Sequence, residues 1–269
     1  MTVGRLAPTP SGHLHLGNAL AFGAAWLSAR AAGGRLLLRI EDIDRGRARE
    51  KVAAGQREDL RWLGIDWDKE VTPQSRRRYT LDGLAIYRCD CSRRDRLAGA
   101  CRCRDAGKRH GTFRFRVLPG PVAFVDRALG PQTFFPDEDP IVIGRDGEPA
   151  YPLAVVVDDA RDGVTEVVRG ADLLSATAVQ LRLQEALGLA APSYLHVPLL
   201  FGVDGKKLSK SHGATEIRAL RAAGWPPARV WELLAPLLGL PKGQLDPGRF
   251  DATRIRSGPF VIDGNGRIR

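Results

Sequence analysis

The sequence has no apolar run that approaches the roughly 20 residues a membrane-spanning helix requires. Its first residues, MTVGRLAPTPSG, lack the basic segment and the continuous apolar stretch of a secretory signal. We therefore expect a cytoplasmic protein with no membrane partner. Cysteine is scarce, with four in 269 residues, so we expect thiols or metal ligands and not a disulfide scaffold. The sequence also lacks internal repeats.

Basic residues outnumber acidic ones, 41 to 31, which gives a formal net charge of +10 and a pI near 9.9. An excess of this size favours a polyanionic partner, and nucleic acid fits best. The alternative, an arginine-rich composition that only keeps the protein in solution, stays open on charge alone. Hydrophobic residues make up 43% and charged residues 27%, proportions typical of an ordered globular domain.

The first part of the chain has the pattern of a strand, a helix and a second strand. Val3 to Ala7 predicts a short strand, Asn18 to Ala32 a helix that ends at a glycine pair, and Leu36 to Ile40 a buried strand. This order is typical of a βαβ unit with a parallel sheet, which binds ligands at the carboxyl ends of its strands. A polar helix is predicted next, over Glu50 to Leu63.

The rest of the chain returns to this pattern after an interruption. The basic stretch from Cys89 to Arg109 has little periodicity and predicts an insertion. The elements predicted after it are a strand at Leu153 to Val157, a helix at Ala171 to Leu187, a strand at Leu195 to Phe201 and a helix from Trp225 to Leu238. We therefore expect an α/β fold: a Rossmann-like parallel sheet with an inserted subdomain and a short helical C-terminal segment. The expected divisions are residues 1–84 and 146–220 for the two halves of the core, 85–145 for the insertion and 221–269 for the C-terminal segment.

Two segments are candidate phosphate sites. The turn from Pro8 to Asn18 places two histidines before a helix N-terminus, where backbone N–H groups attract anions and imidazoles can donate hydrogen bonds. The charged loop from Gly205 to Ser211 carries lysines that can clamp a triphosphate. Each segment alone has a simpler interpretation, a surface turn for the first and a solvated loop for the second. Their occurrence together favours ATP.

The four cysteines, Cys89, Cys91, Cys101 and Cys103, form a C-x-C-x9-C-x-C pattern. Two close pairs can complete the tetrahedron of thiolates that Zn²⁺ favours, and nearby arginines offset its negative charge. The insertion is therefore predicted to be a zinc-bearing subdomain whose metal is structural. The alternative is four reduced cysteines in a surface excursion.

PSGHLHLGN and KLSKS, in this order, resemble the HIGH and KMSKS signatures of class I aminoacyl-tRNA synthetases. The segments that resemble the glutamyl branch of that class are GRLAPTPSGHLHLGN, LLLRIEDIDRGR, AYPLAVVVDDARDGVTEVVRGADLL and LHVPLLFGVDGKKLSKS. The resemblance thus runs from Gly4 to Ser211, and its one departure in the second signature is Leu208 in place of methionine. It implies the class I catalytic core and ATP used with Mg²⁺.

The resemblance implies a set of glutamate-binding residues: Arg5, Ala7, Thr9, Glu41, Tyr151 and Arg169. Arg5 is expected to pair with the side-chain carboxylate of the substrate, since a planar guanidinium can bind a carboxylate through two hydrogen bonds. Glu41 is expected to accept the α-ammonium group.

The ATP-binding residues that the resemblance implies are His13, His15, Gly17, Lys207, Ser209 and Lys210. Among them, His15 and Lys210 are expected to be catalytic because they stabilise charge on the α-phosphorus as the substrate carboxylate attacks. No nucleophilic side chain is required.

Within the glutamyl branch the chain resembles the glutamyl-Q paralogues, which consist of the catalytic core without the anticodon-binding half. We expect this chain to end where that core ends and to be a monomer. The resemblance implies that the glutamyl group passes to the queuosine at the first anticodon position of tRNA(Asp). That family also carries a metal site in the insertion, often with a tyrosine ligand, so the equivalence of Cys101 stays open.

Three alternatives stay open. The first is a glutamyl-tRNA synthetase fragment that charges a tRNA 3′ end, which end-specific labelling would distinguish. The second is a zinc-holding RNA-binding module without catalysis, and the third is a small-molecule nucleotidylyltransferase that does not respond to glutamate. ATP–pyrophosphate exchange with glutamate separates both from an amino-acid-activating enzyme.

Overall fold

The structure, a computed structural model, describes residues 1–99, 101–208, 215–263 and 268–269. Its strands are β1 (Val3–Leu6), β2 (Arg35–Leu38), β3 (Lys69–Glu70), β4 (Ile86–Cys89), β5 (Thr112–Phe115), β6 (Val122–Asp126), β7 (Gly130–Phe134), β8 (Ile141–Ile143), β9 (Glu166–Gly170), β10 (Ser193–Val197), β11 (Leu200–Gly202) and β12 (Phe260–Ile262). Its α-helices are α1 (Leu16–Ala31), α2 (Glu50–Trp62), α3 (Arg93–Leu97), α4 (Tyr151–Arg161), α5 (Ala176–Ala186), α6 (Ile217–Ala222) and α7 (Pro227–Leu234). None of these helices combines the length and the apolar character needed to pass through a bilayer.

The central layer consists mainly of parallel strands. β2 pairs in parallel with β1 and β3, while β10 pairs in parallel with β9 and β6, and β7 lies antiparallel beside β6. The two groups of strands meet where β1 runs beside β9, and the Thr165 N–H donates to the Val3 carbonyl at 2.9 Å. The predicted α/β fold with a parallel sheet is confirmed.

Helix α1 is enclosed between this layer and the C-terminal segment. It packs on β1, β2 and β9 with buried alanine and leucine side chains. On another side α1 contacts α7. Trp231 of α7 is held in place by its indole N–H, which donates to the carbonyl of Leu63 at the end of α2 at 2.9 Å. A Cβ on Gly23 would lie 2.9 Å from the Trp231 ring, so glycine is needed for this close approach. The C-terminal segment therefore fixes the position of α1.

The strand predicted at Leu153 to Val157 is wrong, because this segment is part of helix α4. Leu153 to Val156 are all buried, since α4 packs against β8 and α5. A short apolar run buried on most sides has the same pattern as a buried strand, and periodicity does not separate the two. Pro152 in the first turn, where a helix does not need its N–H, was the signal for a helix start.

Two other predicted elements differ in their bounds. The helix predicted from Ala171 begins with a 3-10 turn, Ala171–Leu173, and becomes α-helical only at Ala176. The strand predicted from Leu195 to Phe201 is divided into β10 and β11, and Pro198, which cannot donate to a ladder, lies at the break. β11 then pairs in parallel with β12, a strand that was not predicted.

The insertion forms a separate antiparallel sheet. β5 pairs with β4 on one side and with β8 on the other. The cysteines lie at the end of β4 and in the segment that follows it. Strand β6, although it falls within residues 85–145, pairs with β10 of the parallel layer. The division of the chain into four parts stays a prediction.

Replacement of Asp158 by alanine should destabilise the fold by about 3–5 kcal/mol, because Asp158 is a buried partner of several polar groups. Its carboxylate is fully buried on α4 and accepts from Arg77 at 3.0 Å, Tyr79 at 2.7 Å and Gln74 at 2.9 Å. The free energy of unfolding in urea measures the effect. As a control, exposed Asp82→Ala should change it by no more than about 0.5 kcal/mol. Equal effects of the two substitutions would contradict the prediction.

Candidate active site

A cavity of about 480 Å³ opens at the carboxyl ends of β1 and β9, beside the N-terminus of α1. The predicted site residues that line it are Arg5, Ala7, Thr9, His15, Gly17, Glu41, Tyr151, Arg169 and Lys207. They come from widely separated parts of the sequence, and the parallel layer brings them to one edge. The structure thus places residues predicted for two ligands around a single cavity.

Three predicted residues need separate mention. His13 does not line the cavity; its Nδ1 is buried near Gly55 of α2 and has no hydrogen-bond partner among the described residues. Burial and the nearby charge of Arg218 lower the pKa of His13, which keeps the ring neutral at neutral pH. Ser209 and Lys210 lie outside the described residues.

His15 is the N-cap residue of α1. Its Nδ1 accepts from the Gly17 N–H at 3.1 Å, and its backbone N–H donates to Asn18 Oδ1 at 3.1 Å. A Cβ on residue 17 would lie 3.0 Å from the imidazole Cε1, so glycine allows the ring to fold over the helix end. Because Nδ1 accepts, the proton of the neutral ring is on Nε2. The helix N-terminus and this donor together favour a phosphate group.

Helix α2 supports the histidine turn from the side away from the cavity. The buried Gln56 amide donates to the carbonyls of Thr9 at 3.0 Å and Gly12 at 2.7 Å. Asp59, almost one helical turn further on, is buried 3.7 Å from Arg221 of α6 and has no hydrogen-bond partner among the described residues. Burial raises the pKa of Asp59 to about 6 although Arg221 opposes this.

A buried group of charges links β1, β2 and α4 behind the cavity. Asp159 lies 3.3 Å from Arg5 Nε and 2.6 Å from Arg39 Nη2. Arg39 also pairs with Asp162 at 3.0 Å and, less closely, with Glu41 at 3.3 Å. Burial raises the pKa of Glu41, and the neighbouring arginines oppose this only in part. Glu41 is therefore the acid of this group that faces the cavity, and its one ion pair among the described residues is with Arg39.

Arg169 is the second buried arginine that lines the cavity, and all its partners are neutral. They are His196 Nε2 at 3.0 Å, Gln180 Oε1 at 2.7 Å, Thr177 Oγ1 at 2.7 Å and the Leu173 carbonyl at 3.3 Å. No carboxylate of a described residue forms an ion pair with it, whereas Arg5 already faces Asp159. Burial lowers the pKa of Arg169, but a guanidinium stays charged at neutral pH. Its charge is therefore available to an anion in the cavity.

Several residues that shape the cavity were not predicted. Asp172 accepts from Lys207 Nζ at 2.5 Å and so ties the start of the lysine loop to the turn after β9. Phe22 and Asn18 present one face of α1 to the cavity, as their i, i+4 spacing allows. Asp172 lies two residues after Gly170, inside the segment AYPLAVVVDDARDGVTEVVRGADLL that resembles the glutamyl branch, and this position was its only signal. Phe22 had no signal beyond helical spacing.

The four cysteines converge in the insertion. Their Sγ atoms all lie within 4.8 Å of one another, with 3.8 Å between Cys89 and Cys101 and 3.5 Å between Cys91 and Cys103. Four thiolates around Zn²⁺ at ~2.3 Å form a tetrahedron with edges of ~3.8 Å, so the arrangement fits this ion. The Cys103 thiol raises the pKa of Cys91 to about 12, which means that the thiols need a cation before all can ionise at neutral pH.

A family model and similar known proteins agree on one family for this chain. Residues 1–89 and 92–245 match the family of class I tRNA synthetases (E and Q), catalytic domain. The chain is 45% identical to a glutamyl-Q tRNA(Asp) synthetase of Nitratidesulfovibrio vulgaris over 89% of this chain and 87% of that protein. It is 42% identical to the glutamyl-Q tRNA(Asp) synthetase of Symbiobacterium thermophilum over 97% of this chain and 96% of that protein. The solved glutamate-tRNA synthetase of Elizabethkingia anophelis has the same fold, with a TM-score of 0.83 at 23% identity over 98% of this chain and 68% of that one.

Asp59→Asn should stabilise the protein at pH 8 and have little effect at pH 4. The folded-state pKa of about 6 is above the ordinary value of 3.8, so the folded protein binds this proton more tightly than the unfolded chain does. The contribution of Asp59 to stability is therefore fully present below pH 3.8 and is lost as the pH rises through 6, a loss that asparagine avoids.

The urea midpoint at the two pH values measures this difference. The control is Asp82→Asn, at an exposed position away from Arg221, and it should change the urea midpoint little at either pH value. A stabilisation by Asp59→Asn that is the same at both pH values would contradict the assignment.

Proposed function

The chain belongs to the glutamyl and glutaminyl family of class I aminoacyl-tRNA synthetases, and on this basis we propose that it activates glutamate with ATP and transfers the glutamyl group to the queuosine of tRNA(Asp). The observation that carries the proposal is the single cavity, which has a buried cation and a buried acid on one side and a helix N-terminus with His15 on the other. An amino acid and the phosphates of ATP therefore meet in one place.

The charges of the cavity suit glutamate. The uncompensated Arg169 and the neighbouring Arg5 attract the carboxylates, while Glu41 accepts the α-ammonium group. Ala7, Thr9 and Tyr151 complete the walls of this part of the cavity. The opposite charges at its two ends favour one orientation of the substrate.

The phosphate side acts by stabilising charge. A carboxylate oxygen of glutamate attacks the α-phosphorus of the magnesium complex of ATP, the bond to the β-phosphate oxygen breaks, and pyrophosphate leaves. We assign His15, Gly17 and Lys207 to the phosphate path, together with Ser209 and Lys210 of the KLSKS motif; His13, which does not line the cavity, supports the turn from behind. His15 and Lys210 carry the catalytic part of this role. The donors stabilise the extra negative charge of the transition state, so no covalent enzyme intermediate is needed.

The second step transfers the glutamyl group to RNA. A hydroxyl of the queuosine cyclopentenediol attacks the carbonyl carbon of the adenylate, loses its proton, and AMP leaves. The net charge of +10 favours binding of the anticodon loop through its phosphates. We propose a cytoplasmic monomer for this reaction.

We assign a structural Zn²⁺ to Cys89, Cys91, Cys101 and Cys103. When bound, zinc would cross-link the insertion and would take no part in the reaction at the cavity. The four thiols hold the end of β4 to the turn that contains Cys103, a region with little apolar core of its own.

Glutamate labelling should depend on queuosine. With labelled glutamate and ATP, tRNA(Asp) that contains queuosine should retain label, and matched tRNA(Asp) without it should not. Removal of the 3′-terminal adenosine should leave labelling unchanged, because the acceptor is in the anticodon loop. Labelling of both pools that is lost with the terminal adenosine would support the 3′-end alternative and contradict the proposal.

Purified protein should contain about one zinc per chain, measured by mass spectrometry of the metal. Cys101→Ser should lower the zinc content and the melting temperature, because it removes one of the four ligands. Thr133→Ser, a conservative change at an exposed position of β7, is the control. Full zinc content in the Cys101 variant would show that Cys101 is not a ligand.

A further inference from the structure

We propose that Asp126 and His196 are positioning residues that orient Arg169 and, because the histidine is held as its neutral Nδ1–H tautomer, leave the arginine charge to the substrate carboxylate. The inference rests on the proposed function, since it takes the anion in the cavity to be glutamate. Neither residue lines the cavity; both act through Arg169.

The pair lies between two neighbouring strands. Asp126 ends β6 and His196 lies in β10, and their side chains are fully buried with 2.6 Å between Asp126 Oδ2 and His196 Nδ1. The other oxygen, Asp126 Oδ1, accepts from the backbone N–H groups of Ala128 and Leu129, each at 3.0 Å, and of His196 at 3.3 Å. The carboxylate is therefore fixed from both sides.

Both contacts of the imidazole require the same tautomer. An ionised carboxylate can only accept, so Nδ1 carries the proton; a guanidinium can only donate, so Nε2 accepts from Arg169 Nε at 3.0 Å. Burial lowers the pKa of His196, Asp126 opposes this, and Arg169 lowers it further, with a net decrease. Burial raises the pKa of Asp126, but its hydrogen bonds with His196 and the backbone bring it below the ordinary value. The pair is thus a carboxylate and a neutral imidazole at neutral pH.

A neutral acceptor at this position has a consequence for substrate charge. A carboxylate beside Arg169 would orient the guanidinium equally well but would compensate its charge, as Asp159, which is shared with Arg39, does in part for Arg5. His196, with Gln180 and Thr177, orients it through hydrogen bonds alone. The substrate carboxylate is then the anion that forms an ion pair with Arg169.

Asp126→Asn should disturb this arrangement through the tautomer. The single side-chain oxygen of asparagine would accept from the backbone N–H groups, so the asparagine NH₂ would face His196 Nδ1. Because that NH₂ is a donor, Nδ1 must accept and the imidazole proton moves to Nε2. There it faces the N–H of Arg169 Nε, and the hydrogen bond to Arg169 is lost. In ATP–pyrophosphate exchange we expect KM for glutamate to rise at least ~10-fold and KM for ATP to change less than ~2-fold. His196→Gln, which keeps an acceptor, should retain more glutamate affinity than His196→Leu.

The matched control is Asp139→Asn in the insertion. Asp139 also binds a backbone N–H, that of Val117 at 2.8 Å, and a side-chain donor, Tyr87 at 2.9 Å, but it is not part of the cavity. It should leave both KM values unchanged. Equal changes of the two KM values in Asp126→Asn, or equal behaviour of the two His196 variants, would overturn the proposal.

The tautomer can be measured without activity. The protein has five histidines, so ¹⁵N–¹H spectra of the rings can be assigned by the loss of one pattern in His196→Gln. We expect a protonated Nδ1 and an unprotonated Nε2 at pH 7; an Nε2–H tautomer or an imidazolium would overturn the proposal. Wild-type protein that shows this tautomer but no glutamate-dependent exchange would refute the proposed function and with it the role in substrate binding, while the pairing itself would stand.

Discussion

The interaction of Asp159 with two buried arginines is the constraint from which the rest of the site follows. One carboxylate on α4 forms ion pairs with two arginines, Arg5 of β1 and Arg39, which directly follows β2. Burial raises the pKa of Asp159, but the two arginines lower it below its ordinary value, so it is a stable anion inside the protein. Removal of one member of such a group would leave a buried charge unpaired. The group therefore holds helix and strands together at the edge where the cavity opens.

This arrangement also decides which charges reach the cavity. Arg39 has its closest contacts with Asp159 and Asp162 and a longer one, at 3.3 Å, with Glu41, while Arg5 shares Asp159 with Arg39. Arg169, on β9, has neutral partners alone and so supplies the unpaired cation. The polarity of the glutamate site thus comes from how the surrounding acids are distributed, and not from the number of arginines in it.

The sequence allowed the first βαβ unit to be predicted because it depends on short local patterns, and the resemblance to the glutamyl branch supplied nine of the residues that line the cavity. Strand, turn and helix follow one another between Val3 and Ala31, and the residues from Arg5 to Gly17 lie within that unit. The assignment of α4 failed because an apolar run surrounded by packing carries no period. Asp126 and His196 were beyond prediction for a different reason: they are 70 residues apart, and only the pairing of β6 with β10 brings them together. The partner of Arg5 was hidden in the same way, since Asp159 is 154 residues distant.

The most direct test of the charge account is the preference of the wild-type enzyme between glutamate and glutamine, measured as kcat/KM in ATP–pyrophosphate exchange. The two amino acids have nearly the same shape and differ in the charge that Arg169 and Arg5 are arranged to receive. We expect glutamate to be favoured by at least ~100-fold, because glutamine would leave a buried guanidinium without its anion. Similar values for the two amino acids would contradict it.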